Sequence, residues 1–276
     1  MVWVMTVAAG AAAAWGVSDF VAGALARRLP VLTILLGSQI SAMLLTLPMA
    51  AFRGLPPWDA RLWLGVAAGV VGMPAMGLLY RAMRDGSPAV VAPVAAVAAL
   101  VPVGWGLLHG DRLDMVAGLG VATGLLGVTM ASWPVPGSVT APRARRPASL
   151  CALGAALGIG VYFVLLHEAG EADEFWALAA ARITEGLAAL ALAVALGRCD
   201  RTLLRAPIVL VGATDALADA AFLAAAAAAL TPASVVASLY PAVTLLLNRS
   251  LLRERLHTVH VYGVLAALFA VACLAR

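Results

Sequence analysis

The 276-residue chain is 63% hydrophobic and 12% charged, with a mean hydropathy of +0.99, which excludes an ordinary soluble domain and indicates a polytopic membrane protein. All 18 basic residues are arginine, and a formal charge of +4 with a pI near 9.4 would suggest nucleic acid in a soluble chain. Here the arginines gather in short turns between apolar runs, where they set topology, so no nucleic-acid partner is expected.

Apolar segments separated by Arg-, Pro- or Gly-containing turns predict ten spans, near 3–25, 31–52, 62–80, 88–108, 114–132, 150–167, 175–196, 207–229, 232–249 and 258–275. At about 1.5 Å per residue these lengths suit a hydrocarbon core about 30 Å thick. The N-terminus is apolar from Val2 and has no basic region ahead of it, which reads as a first span and not a cleaved leader. Only the connection from Trp133 to Ser149, rich in Pro and Arg, is long. It divides the chain into a first five-helix unit (1–132), a linker (133–149) and a second unit (150–276).

The two units repeat. A shift of 143 residues lays Phe20 on Phe163, Gln39 on Arg182, Asp111-Arg112 on Glu254-Arg255 and Gly120 on Gly263. Ser87-Pro88 meets Thr231-Pro232 with a slip of one residue. Five spans is an odd number, so the second copy enters the membrane from the opposite side. The expected fold is therefore an all-α integral membrane protein with ten transmembrane helices in two inverted repeats, an architecture of secondary transporters.

The motifs WGVSDF (15–20), LLYRA (78–82), SPAVVAPVAA (87–96) and GDRL (110–113) lie in the first half. YFVLL (162–166), DEFWALAAAR (173–182), ATDALADAAF (213–222) and SLYPAVTLLLNRSLLRERL (238–256) lie in the second. In order and spacing the chain resembles the EamA-type, ten-span branch of the drug/metabolite transporter superfamily. It departs from that pattern at Asp111, where Glu is usual, and at Ala98, which stands opposite Pro241 with Pro93 and Pro102 on either side. The resemblance implies transport of metabolites, amino acids or drug-like solutes, often outward, with spans 5 and 10 packed outside a central cavity. It also implies a bacterial cytoplasmic membrane.

Polar residues inside the spans mark the candidate site, because an ionisable group at mid-bilayer costs about 2.5–3.5 kcal/mol on insertion scales. Counted from the linker side, Asp19, Gln39 and Asp215 lie about 12 Å deep, and Tyr162, Glu185 and Asp219 about 18 Å deep, with Arg182 one turn further. Arg182 and Glu185 share a helix face, and Asp219 is a second partner for the arginine; a buried ion-pair network and a solute site both fit these three. Asp215 and Asp19 have no opposite charge at their own level, which suggests proton-coupling or substrate-contacting acids. Tyr240 stands just before Pro241, whose missing N–H should bend its helix and free a carbonyl. Trp15, Tyr80 and Phe163 are further cavity candidates, although aromatic packing or an interfacial belt is the commoner role of each such residue. Thr231 is expected to cap the ninth span, with Pro232 in its first turn.

Cys151, Cys199 and Cys273 have neither metal spacing nor an evident pairing, and His109 and His260 stand alone, so no metal or cofactor is expected. The sequence also lacks a CxxC pair, an HExxH motif and a nucleophile–base arrangement, which disfavours an enzyme. Glycine pairs at Gly65/Gly69, Gly120/Gly124 and Gly154/Gly158 are spaced for close helix contact. The expected partners are a small-molecule solute and the lipid bilayer, with a homodimer left open. The competing readings are a membrane-embedded enzyme using the buried carboxyls and a non-transporting membrane protein. Arginines concentrate in the turns after odd spans, which places both termini outside; the family resemblance implies both inside.

Overall fold

A computed structural model describes residues 1–85, 97–110, 112, 114–131, 142–198, 201–252 and 258–274. The chain forms α1 (Val2–Ala26), α2 (Val31–Ala51), α3 (Leu62–Asp85), a short 3₁₀ turn (Val97–Ala99), α4 (Leu100–Leu108) and α5 (Met115–Ala131). The second half follows with α6 (Pro142–Gly170), α7 (Glu174–Ala195), a 3₁₀ turn (Arg201–Leu204), α8 (Ala206–Ala228), α9 (Leu230–Ala237), α10 (Tyr240–Leu252) and α11 (Thr258–Leu274). No strand occurs among the described residues.

Among the described residues six helices are long and apolar enough to cross a membrane: α1, α2, α3, Leu150–Gly170 of α6, α7 and α8. The remaining expected spans are shorter or broken. The fourth is seen from the 3₁₀ turn through α4, because residues 86–96, Pro93 among them, lie outside the described residues. The ninth is split into α9 and α10 by a turn at Ser238–Leu239, just before Pro241. Proline at 241 has no N–H for the carbonyl four residues back, which is why continuous helix fails there. Pro102 sits buried in the first turn of α4, where its missing N–H has little effect on the helix ladder. Pro48 in α2 and Pro74 in α3 lie inside long helices.

Two boundaries differ from expectation. α6 begins at Pro142, inside the stretch expected to be linker, since proline is pre-set for a first helical position and Ala and Arg propagate a helix well. Thr231 is not the cap of α9: the helix starts at Leu230, capped by Ala229 in extended conformation (φ −164°, ψ 94°). Pro232 still falls in the first turn, where an N–H has no intrahelical partner, so the chain gains a residue of helix at no cost in hydrogen bonding. A cap does appear at α7, where the Asp173 side chain accepts from the Trp176 N–H at 2.9 Å.

The exterior is apolar and the interior carries the polar residues, the reverse of a soluble protein. Leu44, Leu47, Val70, Leu187, Leu217 and Phe269 are exposed, whereas Gln39, Arg182, Glu185 and Asp219 are buried. Most of the core is alanine, as on α1 (Ala8, Ala11, Ala12) against α8 (Ala218, Ala225, Ala226), so the helix backbones approach closely. α3 shows the same device with glycine facing α7: a Cβ on Gly65 would stand 2.8 Å from the Ala177 carbonyl oxygen, and one on Gly69 would stand 2.7 Å from Thr184 Cβ.

The helix neighbours come in matched pairs when each helix of one half is exchanged for its counterpart in the other. α3 packs on α6 as α8 packs on α1; α3 packs on α7 as α8 packs on α2. α1 meets α9 and α10 as α6 meets α4 and its preceding 3₁₀ turn. α2 pairs with α7, and α5 with α11, across the halves. On one face the α2–α3 loop is tied to the α6–α7 turn by Arg61–Glu171 (2.8 Å), by Trp176 donating to the Gly54 carbonyl (3.2 Å), and by Arg53 over the Phe175 ring (4.6 Å). The ion pair is exposed and adds little stability, but it shows that these two turns share a face.

Close approach at Gly69 has a measurable consequence. Gly69→Ala should force α3 away from α7 at a cost of about 1–3 kcal/mol. Gly10→Ala, where the new methyl meets nothing within 4 Å, should leave stability unchanged or slightly higher. Thermal unfolding of both variants in one detergent checks the difference; equal melting temperatures would mean the α3–α7 contact is looser than described.

Candidate functional site

The polar residues converge on one guanidinium. Arg182, on α7, donates through Nη1 to Glu185 Oε2 at 2.9 Å and to Gln39 Oε1 of α2 at 3.1 Å. Its Nη2 lies 2.7 Å from Asp219 Oδ2 and 2.8 Å from Asp215 Oδ2, both on α8. All five residues are buried. Asp215 therefore has an opposite charge, contrary to the expectation from depth along the helices. Counting rise per residue locates Cα atoms, whereas the arginine side chain carries its charge several ångströms beyond its own.

Asp219 is the most fully held of the acids. Its Oδ1 accepts from Trp15 Nε1 of α1 at 3.2 Å, and its Oδ2 accepts from Arg182 and from the Tyr162 hydroxyl of α6. Four helices thus meet on one carboxyl and its arginine. A charged hydrogen-bonded group of this kind is tolerated in an apolar slab only because its donors are fixed in advance. Glu185 is accommodated by the absence of a side chain at Gly72 of α3: a Cβ there would run into Glu185 Oε1 and stand 2.9 Å from the Tyr162 ring. Gly72 was not singled out from the sequence, and its spacing from Gly65 and Gly69 along one α3 face was the available signal.

Beside this network lies a cavity of about 40 Å³, room for a few water molecules. Asp19, Tyr162, Arg182, Glu185, Asp215, Asp219 and Tyr240 line it, together with Trp15, Gly72, Met76, Leu79, Ile159 and Phe163. Gln39 is not on the wall but holds Arg182 from behind. Tyr80 is buried among α1, α2 and α3 residues and does not line the cavity. Trp15 is the centre of an aromatic cluster, with ring centroids 5.0 Å from Phe163, 5.8 Å from Phe222 and 6.2 Å from Tyr240. It thus has two roles, aromatic wall and hydrogen-bond donor to Asp219.

Asp19 differs from the other acids. It lines the cavity at 8% exposure, and among the described residues it makes no hydrogen bond or ion pair. Of the remaining expectations, His109 lies in the turn after α4, stacked on Trp105 at 4.1 Å, and Cys151 and Cys273 are free. Pro93, Asp111, Cys199 and Glu254, with the side chains of Pro241 and His260, lie outside the described residues.

Losing Arg182 would leave three buried carboxyls without a counter-charge, and losing one side of a buried pair costs about 3–5 kcal/mol in soluble proteins. Arg182→Ala should therefore yield little monodisperse protein on size exclusion. Adding Glu185→Gln, Asp215→Asn and Asp219→Asn to it should restore the yield. If Arg182→Ala alone folds normally, the arginine is not the structural centre and serves a ligand instead.

Residues 2–133 match the family model described as EamA, the EamA-like transporter family. No curated protein matches the chain. Among solved structures 27 chains match. One, described only as a crystal structure of a protein, superposes with a TM-score of 0.76 at 15% identity, over 98% of this chain and 95% of that one. That likeness concerns the fold alone, and it spans both halves of the chain. With the apolar helices of its exterior, the match over residues 2–133 makes this a multi-pass membrane protein similar to the EamA-like transporter family.

Proposed function

We propose that the chain is a secondary transporter that carries a small organic solute across the cytoplasmic membrane, outward, by alternating access around the central cavity. In this reading ten spans form two inverted repeats, residues 1–132 and 150–276, joined through 133–149. The observation that carries it is the hydrogen bond between Arg182 and Gln39, residues 143 apart in the chain. That separation is the shift that superposes the two halves in sequence. A residue touches its own repeat counterpart only where a pseudo-two-fold axis passes between them, and transporters of this architecture place the solute there.

The cavity wall supports the same axis. Asp19 and Tyr162, Gly72 and Asp215, and Met76 and Asp219 are each related by the same shift, and both members of each pair line the cavity. The matched packing pairs of the two halves agree with it. The halves are not chemically equivalent: where α8 offers Asp215 and Asp219, α3 offers Gly72 and Met76. A symmetric framework supplies two alternating conformations, and an asymmetric lining supplies one oriented binding site. The present cavity is too small for a metabolite, so solute uptake requires α1, α3, α6 and α8 to part.

A Met76→Cys variant, with Cys151, Cys199 and Cys273 replaced by Ser, tests alternating access without knowing the solute. A membrane-impermeant maleimide should label it both from outside right-side-out vesicles and from outside inside-out vesicles. Labelling from one face alone would indicate a one-sided pocket, as an enzyme or receptor has. Asp215→Asn keeps the shape of the acid and removes its charge. It should express normally and retain exchange, while uptake driven by a pH gradient in proteoliposomes falls to the passive level. Unchanged gradient dependence would make Asp215 structural.

A further inference from the structure

The cavity wall carries acid in excess. Its cationic side chain is Arg182, and both terminal nitrogens of that guanidinium are engaged by Glu185, Asp215, Asp219 and Gln39. The guanidinium nitrogen left without a partner, Nε, is fully buried and so is not offered to a solute carboxylate or phosphate. Asp19 is a fourth acid on the same cavity, more than nine-tenths buried, facing the space, and without a hydrogen bond or ion pair among the described residues. With four carboxyls against one guanidinium, the wall reaches neutrality only by taking up protons or a positively charged guest.

The surroundings of Asp19 are aromatic. Trp15 stands one turn before it on α1, so both project from the same helix face. Phe163 and Tyr240 pack on Trp15 at 5.0 and 6.2 Å, and Tyr162, Met76 and Ile159 complete the wall. Aromatic faces attract cations through their quadrupole, and a carboxylate beside them supplies the opposite charge in a medium where water cannot. An anionic guest would meet uncompensated acid, and a neutral one would leave Asp19 without a counter-charge.

We infer that the transported solute is an organic cation, a protonated or quaternary amine on an apolar or aromatic body, whose nitrogen pairs with Asp19 against the Trp15–Tyr240 wall. This rests on the central cavity being the solute site. Arg182 then acts as a fixed internal counter-charge for α8 and Glu185, and solute recognition falls to the α1 acid.

The test uses the full-length purified chain in nanodiscs and three probes of one size class: benzyltrimethylammonium, benzyl alcohol and phenylacetate. Titration calorimetry should show benzyltrimethylammonium binding at least tenfold more tightly than either of the others. Asp19→Asn should weaken it at least tenfold, Asp19→Glu should largely retain it, and Met76→Trp, which fills the cavity, should abolish it. Phenylacetate or benzyl alcohol binding as well as the cation, and lost in Met76→Trp, would keep the cavity as the solute site and overturn the cation assignment. Equal cation binding by a monodisperse Asp19→Asn variant would overturn the role of Asp19. Absence of binding by all three probes, or cation binding that survives Met76→Trp, would overturn the cavity reading and this inference together.

Discussion

A single buried arginine sets the conditions for the rest of the molecule. In a low-dielectric slab an isolated guanidinium is prohibitive, so Arg182 can sit between α2, α7 and α8 only with acids from its own helix and from α8 around it. Those acids impose conditions of their own. Asp219 draws in Trp15 and Tyr162, which fixes α1 and α6 against α8, and Glu185 requires that α3 present a glycine. The helices that form the cavity are thus placed by one electrostatic cluster, while alanine and glycine faces let their backbones close to the necessary distance.

This division of labour explains why the cavity is both polar and narrow. The aliphatic and aromatic side chains of the bundle point outward or into several separate clusters, one of them around Trp15, and the ion-pair network occupies the centre. Because the network is anchored on α7 and α8 and reaches α2 through Gln39, those helices form a charged half of the site. α1 and α3 form the facing half, with Asp19, Gly72 and Met76. A rocking motion between such halves would alter the space beside Asp19 while leaving the arginine's own partners together. That is a physically economical way to move a guest without exposing an unpaired guanidinium to lipid.

The family match rests on residues 2–133, and the fold likeness spans the whole chain. The second half nonetheless supplies most of the charged cluster: Arg182, Glu185, Asp215 and Asp219.

The sequence by itself determined the class, the positions of the long apolar helices and the set of polar residues that belong together. Bilayer thickness fixes helix length, and the cost of burying charge makes every intramembrane acid or arginine conspicuous. The tertiary structure alone decided the pairings. Depth counted along each helix put Asp215 out of reach of Arg182, yet an arginine side chain spans that gap, and Asp19, expected to behave like Asp215, is the acid left without a partner. Trp15 as donor to Asp219 and Gly72 as the space for Glu185 were likewise not legible, because a tryptophan or a glycine in an apolar helix has the same local pattern whether it faces lipid, a neighbour or a site. The break at Ala229 and the early start of α6 at Pro142 were fixed by backbone geometry, which composition constrains only to within a turn.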